Sequence, residues 1–313
     1  MSRESFNGRD VWVREVGTRD GLQSIDTLFS TEDKLTWIKQ ESKAGIPEIE
    51  VGSFVPPKLL PQMADTGEVV TGALQNECLK VSVLVPNLRG AQAGFASGAH
   101  QLNFPLSVSE KHSQANLRKS VDEAIADFAN VMKYRQENPV HQGVQVGIGL
   151  ATAFGCTIAG QVALKDVIAA AEKVIALKPD EIAVADTVGY GNPAQCREIF
   201  SEILSIAGDI PVAAHFHDTR GLGLANVDAA LDVGVRRFDS SLGGLGGCPY
   251  APGASGNVVT DDLVFMLEAM GLKTGVDLDC LLATREFMTS NLNGEPTYGA
   301  IVNAGMPKGF LRA

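Results

Sequence analysis

The sequence predicts an α/β fold, a (β/α)8 TIM barrel followed by an extra C-terminal helical and loop segment. Three observations carry that expectation. Eight short strand-like runs are spaced along the chain, helix-like patterns lie between them, and 313 residues is an ordinary length for one such barrel. An open doubly wound sheet is the rival. Eight consecutive βα units is the barrel's own count, however, and closure removes both exposed sheet edges. A single domain over residues 1–313 is expected, with the barrel over about 11–272 and the extension over 273–313.

The strand runs are Val11–Val16, Glu48–Val51, Lys80–Val85, Gln101–Phe104, Val144–Leu150, Glu181–Ala185, Pro211–Phe216 and Arg237–Ser241. They are short, rich in Val and Ile, and end at Gly, Pro, Asp or Asn. Thr31–Ala44 reads as a helix opened by Ser30 or Thr31, with Asp33 in its first turn. Ser120–Gln136 places Val121, Ala124, Ile125, Phe128, Val131 and Met132 on one helical face. Val162–Ala176, Pro193–Ile206, Leu222–Asp232 and Thr260–Met270 read the same way, and Thr66–Gln75 and Leu88–Ala96 more weakly. Val276–Leu292 adds one or two helices, and the Gly- and Pro-rich tail 293–313 suits a lid or an oligomer contact.

Composition narrows the function. Hydrophobic residues at 45% and charged residues at 20% allow a large core. A net charge of −11 repels nucleic-acid phosphates, so no nucleic-acid partner is expected. An anionic ligand needs a local basic patch for the same reason. Five widely spaced Cys, odd in number and without CxxC, indicate reduced thiols and a cytoplasmic setting. Met1–Asp10 carries no apolar stretch of a secretory signal, and no run is long enough for a membrane span.

Chemistry in such barrels gathers at the C-terminal ends of the strands. The polar residues there are Arg19 and Asp20 after the first strand, Glu50 and Ser53 at the second, Asn87 after the third, and Ser107, Ser109 and Glu110 after the fourth. Asp186 and Thr187 lie at the end of the sixth strand, His215, His217 and Asp218 at the seventh, and the loop Gly243–Asn257 beyond the eighth. Arg19, Ser53, Asn87, Asp186 and Thr187 are the candidate substrate-binding residues.

His215-Phe216-His217 is the sharpest signal, because period-two alternation turns both imidazoles to one side of a strand. With Asp20 and Asn257 on the same rim, the expected centre has two nitrogen and two oxygen ligands. Mg²⁺, Mn²⁺ or Co²⁺ suits that set, and Zn²⁺ matches the ligand types as well. Arg19, next to Asp20, offers fixed positive charge for a developing enolate oxygen. Gly243-Gly244-Leu245-Gly246-Gly247-Cys248 implies unusual backbone angles and a mobile loop presenting a thiol suited to protonating a carbanion. Glu50, at a strand end, is an active-site carboxylate or a partner of Arg19.

Several of these runs resemble one family in order along the chain. Glu15-Val16-Gly17-Thr18-Arg19-Asp20-Gly21-Leu22-Gln23, Ile49–Val55, Pro61–Asp65, Phe154-Gly155-Cys156, Asp186-Thr187-Val188-Gly189, His215–Thr219 and Gly243–Asn257 look like those of the 3-hydroxy-3-methylglutaryl-CoA lyases. The resemblance spans about residues 11–278. It implies a metal held by Asp20, His215, His217 and Asn257, an enolate stabilised by Arg19, a catalytic Cys248 and an active-site Glu50. It also implies a divalent cation cofactor, an acyl-CoA substrate, a homo-oligomer of dimer size or higher, and retro-Claisen cleavage to acetyl-CoA and acetoacetate. Among the groups that could remove the hydroxyl proton are His215, Asp20 and Glu50.

The chain departs from the pattern at Thr157-Ile158-Ala159, where the best-known lyases carry a Pro-Tyr-Glu-like stretch, and it has no Cys near its C-terminus. A lyase for a related substrate such as citramalyl-CoA is one alternative. A condensing synthase of the same superfamily is another, although His217-Asp218-Thr219 lacks the Asn-Asp expected there.

Overall fold

A computed structural model describes residues 6–247 and 256–313. Eight strands, β1 (Trp12–Glu15), β2 (Glu48–Ser53), β3 (Lys80–Leu84), β4 (Gln101–Ser107), β5 (Gln145–Ala151), β6 (Glu181–Asp186), β7 (Val212–Phe216) and β8 (Arg237–Ser240), pair in chain order and close into a barrel. Every pairing is parallel, including that of β1 with β8. Each expected strand is present, with bounds within three residues of those read from sequence.

Helices α1 (Thr31–Lys43), α2 (Thr66–Ala73) and α3 (Leu88–Ser97) come after the first three strands. The fourth strand is followed by two, α4 (Glu110–Leu117) and α5 (Val121–Glu137). Then come α6 (Leu164–Ile175), α7 (Pro193–Ala207), α8 (Gly223–Asp232) and α9 (Thr260–Ala269). Beyond the barrel lie α10 (Leu278–Ser290) and the short α11 (Ile301–Ala304), so Val276–Leu292 forms one helix. Helix α4 was not expected, because its sequence EKHSQANL is polar and shows no apolar period. Its start is set by Ser109, whose hydroxyl accepts the His112 N–H at 3.4 Å. Among the described residues no helix is long and apolar enough to cross a membrane.

The packed layer between strands and helices is aliphatic and aromatic, with Trp37, Phe128, Phe200 and Phe216 fully buried. The inside of the barrel is ionic. Arg14 reaches Glu181 at 2.6 Å, Asp239 at 2.8 Å and Glu48 at 3.3 Å. Lys80 pairs with Glu48 and Arg237 with Glu181, each at 3.3 Å, so three cations meet three carboxylates. The balance matters, because an unpaired charge at this depth would be strongly destabilising.

Alternation along β1 turns Arg14 inward and Glu15 outward, into the layer beneath α1. There Glu15 and Glu41 are both fully buried. Burial pushes the Glu15 carboxyl up to about 7, against the stabilising bonds it accepts. Burial, reinforced by Glu15, holds Glu41 well above the ordinary value. A carboxyl raised in the fold stabilises the protein fully below its unfolded value, and that contribution is lost as pH climbs through the folded one. For Glu15 the window runs from 4.5 to about 7. The loss from Glu41 starts at the same 4.5 and extends to higher pH, so Glu41→Gln should gain thermal stability over the parent as pH rises from about 5 to about 7.5, by a few degrees at the upper end. Unfolding midpoints measured across that range check it, and a difference independent of pH would reject the pair as the cause.

Candidate active site

Where β1 ends, the Val16 carbonyl accepts N–H groups from Arg19 at 3.1 Å, Asp20 at 2.7 Å and Gly21 at 3.3 Å. These bonds wind Gly17–Gly21 into one π-helical turn. The turn aims Asp20 across the barrel mouth. Asp20 Oδ1 accepts from Arg19 Nη1 at 2.8 Å and Gln23 Nε2 at 2.7 Å. Its Oδ2 accepts from Asn257 Nδ2 at 2.7 Å and lies 3.7 Å from His217 Nε2. Burial alone would raise this carboxyl; Arg19, His217, His215 and Asn257 outweigh burial and hold it below the ordinary value.

His215 and His217 stand on the same side of the seventh strand's end, with ring centroids 5.2 Å apart. His215 Nδ1 lies 3.1 Å from Asp239 Oδ2, which leaves Nε2 facing the mouth. Asp239 is held at about 2: burial would raise it, and Arg14 and His215 pull it down. Burial favours the neutral ring of His215, but its bond and charge interaction with Asp239, and the charge of Asp20, raise its pKa. His217 is driven to about 4 by burial and by His215, so its ring is neutral with a free lone pair near pH 7.

One donor atom each from Asp20, His215 and His217 lies within 4.8 Å of the others. Donors of one cation at about 2.1 Å stand about 3–4 Å from each other, so this spacing fits a shared ion. Asn257 adds a sign of its own. Its Nδ2 donates to Asp20 and to the Leu245 carbonyl at 2.9 Å, while its buried Oδ1 has no partner among the described residues. A buried acceptor left so costs about 1–3 kcal/mol, and a cation would satisfy it. The sequence-expected set Asp20, His215, His217 and Asn257 is thus brought to one place, with donors that fit a hard or borderline divalent ion.

Arg19 Nε donates to Glu50 Oε2, and Asn103 Nδ2 donates to Glu50 Oε1 at 2.8 Å. Burial disfavours the guanidinium charge; Glu50 and Asp20 more than offset it, and its pKa is raised. Arg19 and Glu50 are therefore direct partners at the mouth. The other expected substrate residues have local duties. Ser53 Oγ accepts from Val55 N at 3.3 Å, and Asn87 caps α3 by accepting from Gly90 N at 3.0 Å. Asp186 accepts N–H groups from Tyr190 and Gly191, each at 2.8 Å, and Thr187 Oγ1 accepts from Thr152 N at 2.9 Å. Asp239, Asn103 and Gln23 escaped sequence reading, and for Asp239 the only signal is a charged residue in a strand's inward phase.

Cys248 lies outside the described residues. The described part of its loop has the expected unusual angles, with φ of 66°, 67° and 108° at Gly243, Gly244 and Gly246. A Cβ on Gly246 would sit 2.4 Å from Asn257 Nδ2 and 3.2 Å from Asp20 Oδ2. Glycine is needed there because the backbone packs directly on the candidate ligands.

The HMGL-like family matches residues 11–288. Hydroxymethylglutaryl-CoA lyase YngG of Bacillus subtilis is 38% identical over 288 residues, covering 92% of this chain and 95% of that protein. The mitochondrial hydroxymethylglutaryl-CoA lyase of Mus musculus is 39% identical over 285 residues, covering 91% and 86%. An HMG-CoA lyase of Acinetobacter baumannii, solved in complex with coenzyme A and 3-methylmalate, superposes with a TM-score of 0.89 at 40% identity over 97% of each chain. The chain belongs to the HMGL-like family.

Proposed function

We propose that this protein is a divalent-metal-dependent carbon–carbon lyase that cleaves (S)-3-hydroxy-3-methylglutaryl-CoA to acetyl-CoA and acetoacetate. The observation that carries the reading is the meeting of Asp20, His215, His217 and Asn257 at one point beside Arg19, in a chain whose relatives are named for that activity. Asp20, His215, His217 and the Asn257 amide oxygen are the ligands. A divalent cation there supplies Lewis acidity, which lowers the pKa of the substrate's tertiary hydroxyl.

The remaining steps belong to the chain's own groups. Glu50 takes the hydroxyl proton; of the three candidate bases it alone stands outside the cluster of donors. The carbon–carbon bond breaks, the hydroxyl carbon becomes the ketone of acetoacetate, and the electron pair forms the thioester enolate. Arg19, held by Glu50 and Asp20, places its guanidinium against the enolate oxygen. Cys248 returns a proton to the enolate carbon, which gives acetyl-CoA; this role rests on the family resemblance and on the loop that carries the thiol.

The deciding experiment is product analysis with (S)-3-hydroxy-3-methylglutaryl-CoA and citramalyl-CoA, with Mg²⁺ or Mn²⁺ and after chelation. Acetoacetate should form from the first ester, vanish on chelation and return with metal. Preference for citramalyl-CoA would reassign the acyl group, and no cleavage by metal-loaded enzyme would sink the reading. Arg19→Met should lower kcat by about 10²–10³-fold, as loss of a preorganised oxyanion partner does; a change confined to KM contradicts its role. Gly246→Ala should cost at least about 10-fold in Mn²⁺ affinity, read by calorimetry, because its methyl displaces Asn257 from Asp20. Undiminished affinity would remove Asn257 from the ligand set.

A further inference from the structure

We propose that Glu15 is a positioning residue for this reaction, its one buried carboxyl fixing three segments of the active-site rim relative to each other. The inference rests on the lyase reading above. Glu15 faces away from the barrel interior and touches none of the candidate ligands. Its Oε1 accepts the Gly17 N–H at 2.7 Å and the Leu242 N–H at 3.0 Å, and its Oε2 accepts the Thr260 hydroxyl at 2.6 Å.

Each partner is the root of a working segment. Gly17 opens the π-helical turn that carries Arg19 and Asp20. Leu242 begins the short turn from which the glycine loop runs toward Cys248. Thr260 opens α9, just past Asn257. Leu242 and Thr260 lie 227 and 245 residues from Glu15, so the carboxyl joins the first strand to the last part of the barrel. The seat is built for close approach: a Cβ on Gly17 would come within 2.5 Å of Glu15 Oε1 and 3.0 Å of Ser241 Oγ. A displacement near 1 Å at any one root would carry Arg19, Asp20 or Asn257 out of register with the others, and misplacements of that size cost about 100-fold in rate.

The contacts need an acceptor pair on one side and a single polar atom on the other, not a negative charge. An amide meets the same demand. Its oxygen accepts from Gly17 and Leu242, and its Nε2 donates to Thr260 Oγ1, whose own proton turns to Ser240 Oγ, 2.9 Å away. Glu15→Gln is therefore the rescuing variant and Glu15→Ala the disabling one.

The test compares parent, Glu15→Gln, Glu15→Ala and Val264→Ala, the last a truncation of a fully buried α9 side chain that makes none of these hydrogen bonds. Metal-loaded enzyme is assayed for kcat and KM, and metal-free protein is titrated with Mn²⁺ by calorimetry. Glu15→Ala should lose about 100-fold in kcat with little change in KM. It should also bind Mn²⁺ at least about 10-fold more weakly. Glu15→Gln should stay near the parent in both, and Val264→Ala should keep both despite a lower unfolding midpoint. Parent-like values in Glu15→Ala, an equal loss in Val264→Ala, or failure of Glu15→Gln to rescue would each overturn the role. If Glu15→Ala does not fold, Thr260→Val severs one tie; unchanged kcat and Mn²⁺ affinity there would overturn it equally. The Mn²⁺ titration needs no substrate, so weakened binding in Glu15→Ala would uphold the positioning role even if the parent cleaved neither ester and the lyase reading fell.

Discussion

The pairing of β1 with β8 is the constraint on which the rest of the molecule depends. It sets Arg14 beside Asp239, while β2 sets Glu48 on the other side of Arg14 and β7 sets His215 next to Asp239. Glu48, Arg14, Asp239 and His215 are thus lateral neighbours on four adjacent strands, all in the inward phase. Their side chains form a row of alternating charge that ends on an imidazole. Because the row is fixed by backbone register, Asp239 holds His215 by one ring nitrogen and frees the other toward the mouth. The same closure brings Asp20 to within a hydrogen bond of Asn257, 237 residues away.

That dependence explains what sequence could and could not reveal. The eight strands were legible because each is a short run between turn residues, and several are rich in Val and Ile. The paired imidazoles were legible because period two is a local property of one strand. Asp239 and Asn103 were not, since their importance comes from which strand lies alongside, and a single sequence carries no register. Helix α4 escaped because its polar surface leaves no periodic signal and only the Ser109 cap marks it. The π-helical turn escaped because its defining bonds converge on the carbonyl of Val16, whose side chain says nothing of them. Position at a strand end placed Ser53, Asn87, Asp186 and Thr187 on the correct rim. It could not say that their oxygens would be engaged by nearby backbone N–H groups.

Charge in the mouth stems from the same arrangement. The ionic interior is balanced, so the field at the rim is set by the last members of each row. Asp20 meets Arg19 and two imidazoles and stays ionised, while His217 meets burial and a second ring and stays neutral. An ionised carboxylate beside a neutral imidazole is the pair a divalent cation requires of its ligands. Arg19 is divided between Asp20 and Glu50, which keeps the guanidinium at the edge of the cluster.

The C-terminal segment completes the mouth by bracing it. Thr27 Oγ1 donates to the Leu292 carbonyl at 3.1 Å, and Asp26 N donates to Glu295 Oε1 at 3.2 Å, so the segment is tied to the chain just after the π-helical turn. Tyr298 N donates to the Gly243 carbonyl at 2.8 Å, which ties it equally to the root of the glycine loop. A side chain at Gly243 would meet Thr297 at 3.3 Å, and one at Gly244 would meet Tyr298 at 3.4 Å. At Gly256 the approach is closer still, with the Gly244 carbonyl oxygen 1.9 Å from where a Cβ would stand. The residues on both sides of the Cys248 stretch are therefore held against Asp20, Asn257 and the brace. Glycine is required at Gly243, Gly244 and Gly246 because φ is positive and side chains press on the backbone, and at Gly256 because backbone lies on backbone, so the composition that reads as mobility in sequence serves, over the described residues, to fix the loop's two ends.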